Sequence, residues 1–285
     1  MDNNLETLAT ALYVKIDDML KDWPDLAPER PPGGIVLTLG DAELLAMAVM
    51  SALLGFTSER RWLRYARENL AGMFPRRIGQ SGYNKRMRKS FYLFIRVIRM
   101  LAMDTSLWSD DVWVVDSTPE YGYCASHTRY FWGLRLHLVC TLTGLPVLFA
   151  LAGAKADERE TLLGMLEAGR DVADGHLGQT VIGDKNYFGR HFEADLTERE
   201  LVLLRPVRKG EARRAGQHLF KPLRQVVESV NWTFKGQLDL ERHGGRTPEG
   251  IIARVLARIL ALTAAIWHND KTSQMVKRSL TAYDH

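Results

Sequence analysis

The sequence predicts an α/β fold, a mixed sheet with flanking helices, preceded by an all-helical N-terminal module. Three observations carry that prediction. Apolar residues recur at helical spacing from Asn4 to Leu101, the period turns extended at Val112, and strand-like runs then alternate with helical ones. Over the second part the order is three strands, helix, strand, helix, strand, helices, which suits a mixed sheet with helical cover.

With 285 residues, 46% hydrophobic and 25% charged, the chain can form one large domain or two. No membrane span is expected, because the longest apolar stretch is interrupted by Arg254 and Arg258. At the N-terminus Leu5, Leu8, Leu12, Ile16 and Leu20 recur amphipathically between acids, unlike a signal peptide, so a cytoplasmic location is expected. The two cysteines, Cys124 and Cys140, cannot build a disulfide framework and are read as free thiols.

The formal charge of +4 conceals an asymmetry. Residues 1–58 carry three basic and nine acidic side chains, whereas residues 59–99 carry twelve basic and two acidic. Clustered Lys and Arg are the footprint of contact with a phosphate backbone, here on Arg60, Arg61, Arg64, Lys85, Arg86, Arg88 and Lys89. The bland alternative is a solvated charged face on a helical bundle. Residues 1–105 are accordingly expected to be a helical DNA-binding region of the helix-turn-helix kind.

In chain order, a first helix spans about Asn4–Lys21 and stops at Trp23-Pro24, because the residue before proline is pushed out of the helical region. Prolines and glycines make residues 24–34 a linker. A second helix starts at Gly40 or Asp41, with Glu43 in its first turn, and Gly55 closes it. Basic helices follow from Ser58 to about Leu70 and after Ser81, the latter leading into the apolar stretch Phe91–Leu101.

Val112-Trp-Val-Val-Asp116 reads as a buried strand ending on a carboxylate, with Ser117, Thr118 and Pro119 as turn residues behind it. Strands at residues 132–141 and 145–152, joined by a turn at Thr143-Gly144, complete a meander. A helix over 157–170 precedes a short strand, Thr180-Val-Ile-Gly-Asp184, which also ends on a carboxylate. Then come a helix over 189–199, a strand over 201–206 and a basic loop with Arg208, Lys209, Arg213 and Arg214. The helix near Pro222 has two stripes. At about 100° per residue, Leu223, Val226, Val227, Val230 and Phe234 share one side, while Arg224, Glu228 and Lys235 align on another.

Asp116-Ser-Thr, Gly183-Asp184-Lys-Asn-Tyr187 and Arg224-x-x-x-Glu228 with Lys235 resemble the motifs of DDE transposases of bacterial insertion sequences. Phe131-Trp-Gly-Leu-Arg-Leu-His137 is similar to that family's aromatic-Gly-x-Lys-x-His strand, and the leucine-rich stretch Arg254–Asn269 to its C-terminal cover. Lys221, Asn186 and Arg135 depart from its usual Tyr, Gly and Lys. The resemblance implies a ribonuclease H-like catalytic domain over residues 106–270, with its C-terminal helices included and residues 271–285 a tail. It implies Asp116, Asp184 and Glu228 as catalytic, metal-binding carboxylates, and Arg224, Lys235 and Lys185 as DNA contacts together with the basic residues above, Arg208 and Lys209 included.

The chemistry of such a site is two-metal phosphoryl transfer, in which hard Mg²⁺, for which Mn²⁺ can substitute, selects carboxylate oxygens. The expected partners are transposon terminal inverted repeats and target DNA, with a homodimer in the synaptic complex and no membrane. Asp157 and Glu158 read as caps of the middle helix, with Asp157 also a candidate to support the site from behind, and His137 reads as structural. Cys124 and His127 lack a second ligand pair at zinc spacing. Two other functions fit the same residues: a nuclease without strand transfer, and a transposase-derived DNA-binding regulator whose acids are idle.

Overall fold

The computed structural model describes residues 3–29, 39–121, 133–212, 220–245 and 247–283. The chain divides into two compact units, one of Met1–Thr105 with Phe234–His285 and one of Ser106–Thr233.

The first unit is helical. Helix α1 (Asn3–Asp22) buries Leu5, Leu8, Leu12 and Ile16, the amphipathic stripe seen in the sequence. In α2 (Asp41–Leu53) the Glu43 carboxylate accepts from the Gly40 backbone N–H, half of a capping box, and Gly55 closes the turn at φ +66°. Ser58 caps α3 (Glu59–Asn69) by accepting from the Arg61 N–H. The next basic helix breaks at Ser90 into α4 (Gln80–Lys89) and α5 (Phe91–Met103); the Ser90 hydroxyl turns back to donate to the Arg86 carbonyl at 3.0 Å.

At the other end of the chain, α10 (Pro248–Lys271) packs against α5, α2, α4 and α1. The leucine-rich stretch that resembles the family's C-terminal cover thus builds the core of the helical unit. By length and composition α10 could cross a membrane, contrary to the sequence prediction that no segment could, but it is largely buried here. Within it Arg258 is buried and donates through Nε to the Leu238 carbonyl at 2.6 Å, and Arg254 pairs with Glu59 at 2.6 Å. Residues 271–285 were expected to form a tail. The described part of that segment is tied down: the Tyr283 hydroxyl donates to Asn269 at 2.8 Å, and Leu280 and Tyr283 are buried.

The second unit holds a five-stranded sheet in the order β3-β2-β1-β4-β5. Its strands are β1 (Val112–Tyr121), β2 (Gly133–Thr141), β3 (Pro146–Gly153), β4 (Thr180–Ile182) and β5 (Val202–Leu204). The first three are antiparallel neighbours, while β4 and β5 run parallel to β1, which is the ribonuclease H-like arrangement. Helices α6 (Glu158–Ala168), α7 (Arg170–Asp174) and α8 (Arg190–Glu198) contribute Leu162, Leu166, Val172, Phe192 and Leu196 to one core with Trp113, Val115, Val139 and Val181. Alternate residues of a strand face opposite ways, so Val114 and Asp116 look the other way, towards α9 (Phe220–Trp232).

One expectation about β1 is corrected. The strand does not stop at Asp116; Ser117, Thr118 and Pro119 continue it, paired antiparallel with His137, Leu136 and Arg135. Proline survives there because β4 has already ended opposite Val114, so that edge of β1 has no ladder bond to lose.

Candidate active site

The parallel register decides the site. Val114 pairs with Ile182, the last rung of the β1–β4 ladder. Two residues further along each chain stand Asp116 and Asp184, at the carboxyl ends of the parallel strands, where open α/β sheets bind ligands. Asp116, Asp184 and Glu228 line one cleft of about 100 Å³, with Val114, Ile182 and Phe220 among its walls. The three acids are thus brought together.

Each aspartate is held by a neutral donor. The backbone N–H and the side-chain amide of Asn186 donate to Asp184 at 2.7 and 3.1 Å, closing the turn behind β4. The Asn231 amide donates to Asp116 Oδ2 at 2.6 Å. Burial is the main cause pushing the Asp116 carboxyl above its ordinary value, and the charges of Asp184 and Glu158 push the same way. The Ser117 backbone N–H and Asn231 oppose that shift. Gly183 leaves room for the Tyr187 ring, since a Cβ there would sit 2.8 Å from a ring carbon. The Tyr187 hydroxyl, raised well above its ordinary value by burial and then by Glu158, Asp116 and Asp184, stays neutral.

Glu158 is not the helix cap that its position at the start of α6 suggests. Asp157 is the cap, accepting from the Arg159 and Glu160 N–H groups, while Glu158 accepts from the Ser117 hydroxyl and from Arg135, both at 2.6 Å. His137 is buried, which pushes its pKa below the ordinary value, and neither ring nitrogen has a hydrogen-bond partner among the described residues. Asn186, Asn231 and the Ser117–Glu158–Arg135 group escaped sequence reasoning. A usable signal existed for Asn231, which lies three residues beyond Glu228 and hence on an adjoining helix face.

The basic candidates divide. Lys185 is exposed beside Asp184. Lys235 does not continue the α-helical row from Glu228: it lies in a π-helical turn, Thr233–Gln237, and pairs with Glu241 at 3.0 Å. The side chain of Arg224 lies outside the described residues, as do Cys124, His127, Arg213 and Arg214. Arg208 stacks its guanidinium 3.5 Å from the centre of the Phe188 ring, and Lys209 is exposed. Within the helical unit Arg60, Arg61, Arg64, Lys85, Arg88 and Lys89 are exposed. Arg86 is the exception, pairing with buried Asp41 and donating to the Leu39 carbonyl.

Among the described residues no group of three or more His, Cys, Asp and Glu side chains is arranged to hold a metal ion as it stands. The donor set nevertheless suits a hard cation: carboxylates crowd at one cleft, and the electrostatic groups that shift Asp116 are neutral donors and other acids.

No curated protein matches the chain. Among solved structures it is similar to a pre-cleavage Mos1 transpososome, at 10% identity and a TM-score of 0.27, over 92% of this chain and 97% of that one. A family model described as the transposase DDE domain matches residues 107–264, more than half of the chain and the whole of the sheet with its acids. The chain belongs to the transposase DDE domain family.

Proposed function

We propose that this transposase binds the terminal inverted repeats of an insertion sequence, cuts the phosphodiester at their ends with the help of divalent ions, and joins the freed 3′ end to target DNA. The observation that supports this most is the convergence of Asp116, Asp184 and Glu228 on one cleft at the carboxyl ends of β1 and β4. Asp116 is the most fixed of the three, in a strand hydrogen-bonded to β2 and tied to Asn231, and is assigned the central ligand role. Asp184 and Glu228 complete the oxygen donor set.

Two Mg²⁺ ions, or Mn²⁺ in their place, would supply Lewis-acid activation of the attacking oxygen and charge neutralisation at the leaving oxygen. The chain's own part is to orient the reacting phosphate and exclude competing geometries. Lys185, exposed next to Asp184, and Arg224 on α9 are assigned to the phosphates flanking the cut. The exposed arginines of α3, with Lys85, Arg88 and Lys89 of α4, are assigned to the duplex backbone. Two protein copies holding two DNA ends make a homodimer the working form, in the cytoplasm where the DNA lies.

The test uses duplexes carrying the DNA that flanks the reading frame, with Mg²⁺. Nicked ends from intact duplex and joined product from a precut end support the assignment. Nicks without joining select the nuclease alternative, and repeat binding without any cutting selects the idle regulator.

A further inference from the structure

We propose that Asn231 is a positioning residue of this site, holding the Asp116 carboxylate in the orientation in which a divalent cation binds it. This rests on the metal-dependent function proposed above. The Asn231 amide meets Asp116 Oδ2 at 2.6 Å, joining residues 115 positions apart in the sequence. The bond lies among Val114, Leu138, Val226 and Val230, where a low local dielectric strengthens it.

The chemistry of the donor matters. A lysine or arginine at this place would orient the carboxylate but also cancel its charge, and would compete with the cation. A neutral amide fixes one oxygen and leaves the full negative charge for the ion, as outer hydrogen-bond partners of metal ligands commonly do. Asp116 has a second neutral donor in the Ser117 backbone N–H, while the charges that bear on it, Asp184 and Glu158, are negative. The same bond anchors α9 to β1. Glu228 stands three residues before Asn231 on that helix and lines the cleft with Asp116, so the tie that orients one acid also fixes the other's approach.

The experiment compares full-length wild type with Asn231→Ala and Asn231→Leu, the second keeping the branched side-chain skeleton without the donor. Mn²⁺ affinity is measured by calorimetry without DNA, the fold by circular dichroism and thermal midpoint, and cleavage across a Mg²⁺ series. Loss of an outer hydrogen-bond partner is expected to weaken Mn²⁺ binding roughly 10- to 100-fold in both variants. The Mg²⁺ needed for half-maximal cleavage should rise by a similar factor, and excess Mg²⁺ should recover most of the rate. Wild-type Mn²⁺ affinity in the leucine variant would mean that Asn231 only fills space, and would overturn the assignment even if the alanine variant failed to fold. Asp116→Asn separates the two levels of inference. If wild type takes up no Mn²⁺ and Asp116→Asn cuts as wild type does, the metal-dependent function falls and Asn231 with it. If wild type binds Mn²⁺ and Asp116→Asn does not, unchanged affinity in the Asn231 variants sinks the positioning role alone.

Discussion

Val114 and Ile182 are the last paired residues of the parallel β1–β4 ladder, and the chain of each strand carries an aspartate two residues beyond that pair. A parallel register fixes both strand ends at the same edge of the sheet, so Asp116 and Asp184 meet there although 68 residues separate them. An antiparallel pairing of the same two segments would have sent the carboxylates to opposite edges. The site thus depends on strand direction, a property set by the helical crossover through α6 and α7.

The first prediction concerns the acids themselves. Asp116→Asn, Asp184→Asn and Glu228→Gln should each reduce cleavage to background while leaving affinity for terminal-repeat DNA close to wild type. Asp116→Asn carries a second signature. A carboxyl whose folded-state pKa is raised costs stability as pH climbs from its ordinary value through the raised one, and asparagine removes that cost. The variant should therefore melt higher than wild type at neutral pH without divalent ions, as expected where function holds charge in an unfavourable place. A scan showing a lower midpoint with full cleavage would remove Asp116 from the site.

The arginines of the helical unit should separate into two behaviours. Arg86→Ala removes the guanidinium paired with buried Asp41, and breaking one side of a buried ion pair costs about 3–5 kcal/mol. That variant should unfold early or express poorly. Neutralising the exposed Arg60, Arg64 and Arg88 together should leave the melting curve nearly unchanged while weakening DNA binding. Each lost phosphate contact should also flatten the plot of log affinity against log salt by about 0.9. Equal salt slopes in wild type and the triple variant would place the DNA elsewhere.

Residue period and turn chemistry made much of this architecture legible. The stripe of Leu5, Leu8, Leu12 and Ile16 and the Gly55 turn lie as the sequence implies, and the three acids share a cleft. What stayed hidden is what depends on partners distant in sequence. Ser117, Thr118 and Pro119 carry turn propensity, yet pairing with β2 outweighs it and keeps them extended. Arg86 looks like any other member of a basic run until Asp41, 45 residues earlier, is found against it. A π-helical turn takes Lys235 out of phase with Glu228, and no count at a fixed 100° per residue could foresee that insertion. Glu158 and Asn231 bond to side chains on β1, 41 and 115 positions away, so the period of their own helices does not reveal those contacts.

Gly183 offers a test of the turn that delivers Asp184. A methyl group there would press on the Tyr187 ring at 2.8 Å, and Tyr187 is buried in the core beneath the acids. Gly183→Ala should cost about 1–3 kcal/mol in urea unfolding, the usual range for overpacking a tight site. It should also slow cleavage, because the ring can yield only by displacing the turn. A double variant, Gly183→Ala with Tyr187→Leu, should regain part of both losses; no recovery would mean that the Tyr187 ring is not what the added methyl displaces.

The last prediction follows from His243, which is buried in the helical unit. Its Nδ1 accepts from the Gly245 N–H at 2.9 Å, so the ring is neutral with its proton on Nε2. Burial, then Arg258 and Arg254, push its pKa down to about 4. The unfolded chain takes up a proton near the ordinary value of 6.5. The folded chain resists until about pH 4, so stability is fully present above the upper value and is lost as pH falls through the interval. At 1.36 kcal/mol per unit the loss amounts to about 3 kcal/mol. His243→Asn keeps an acceptor for Gly245 without a titrating ring, and its unfolding free energy should fall less steeply between those pH values. Glu59 faces the same small cavity, paired with Arg254 and bonded to Asn84, and is common to both proteins, so the difference in slope isolates the histidine. Parallel slopes for the two proteins would show that protons enter this region through another group.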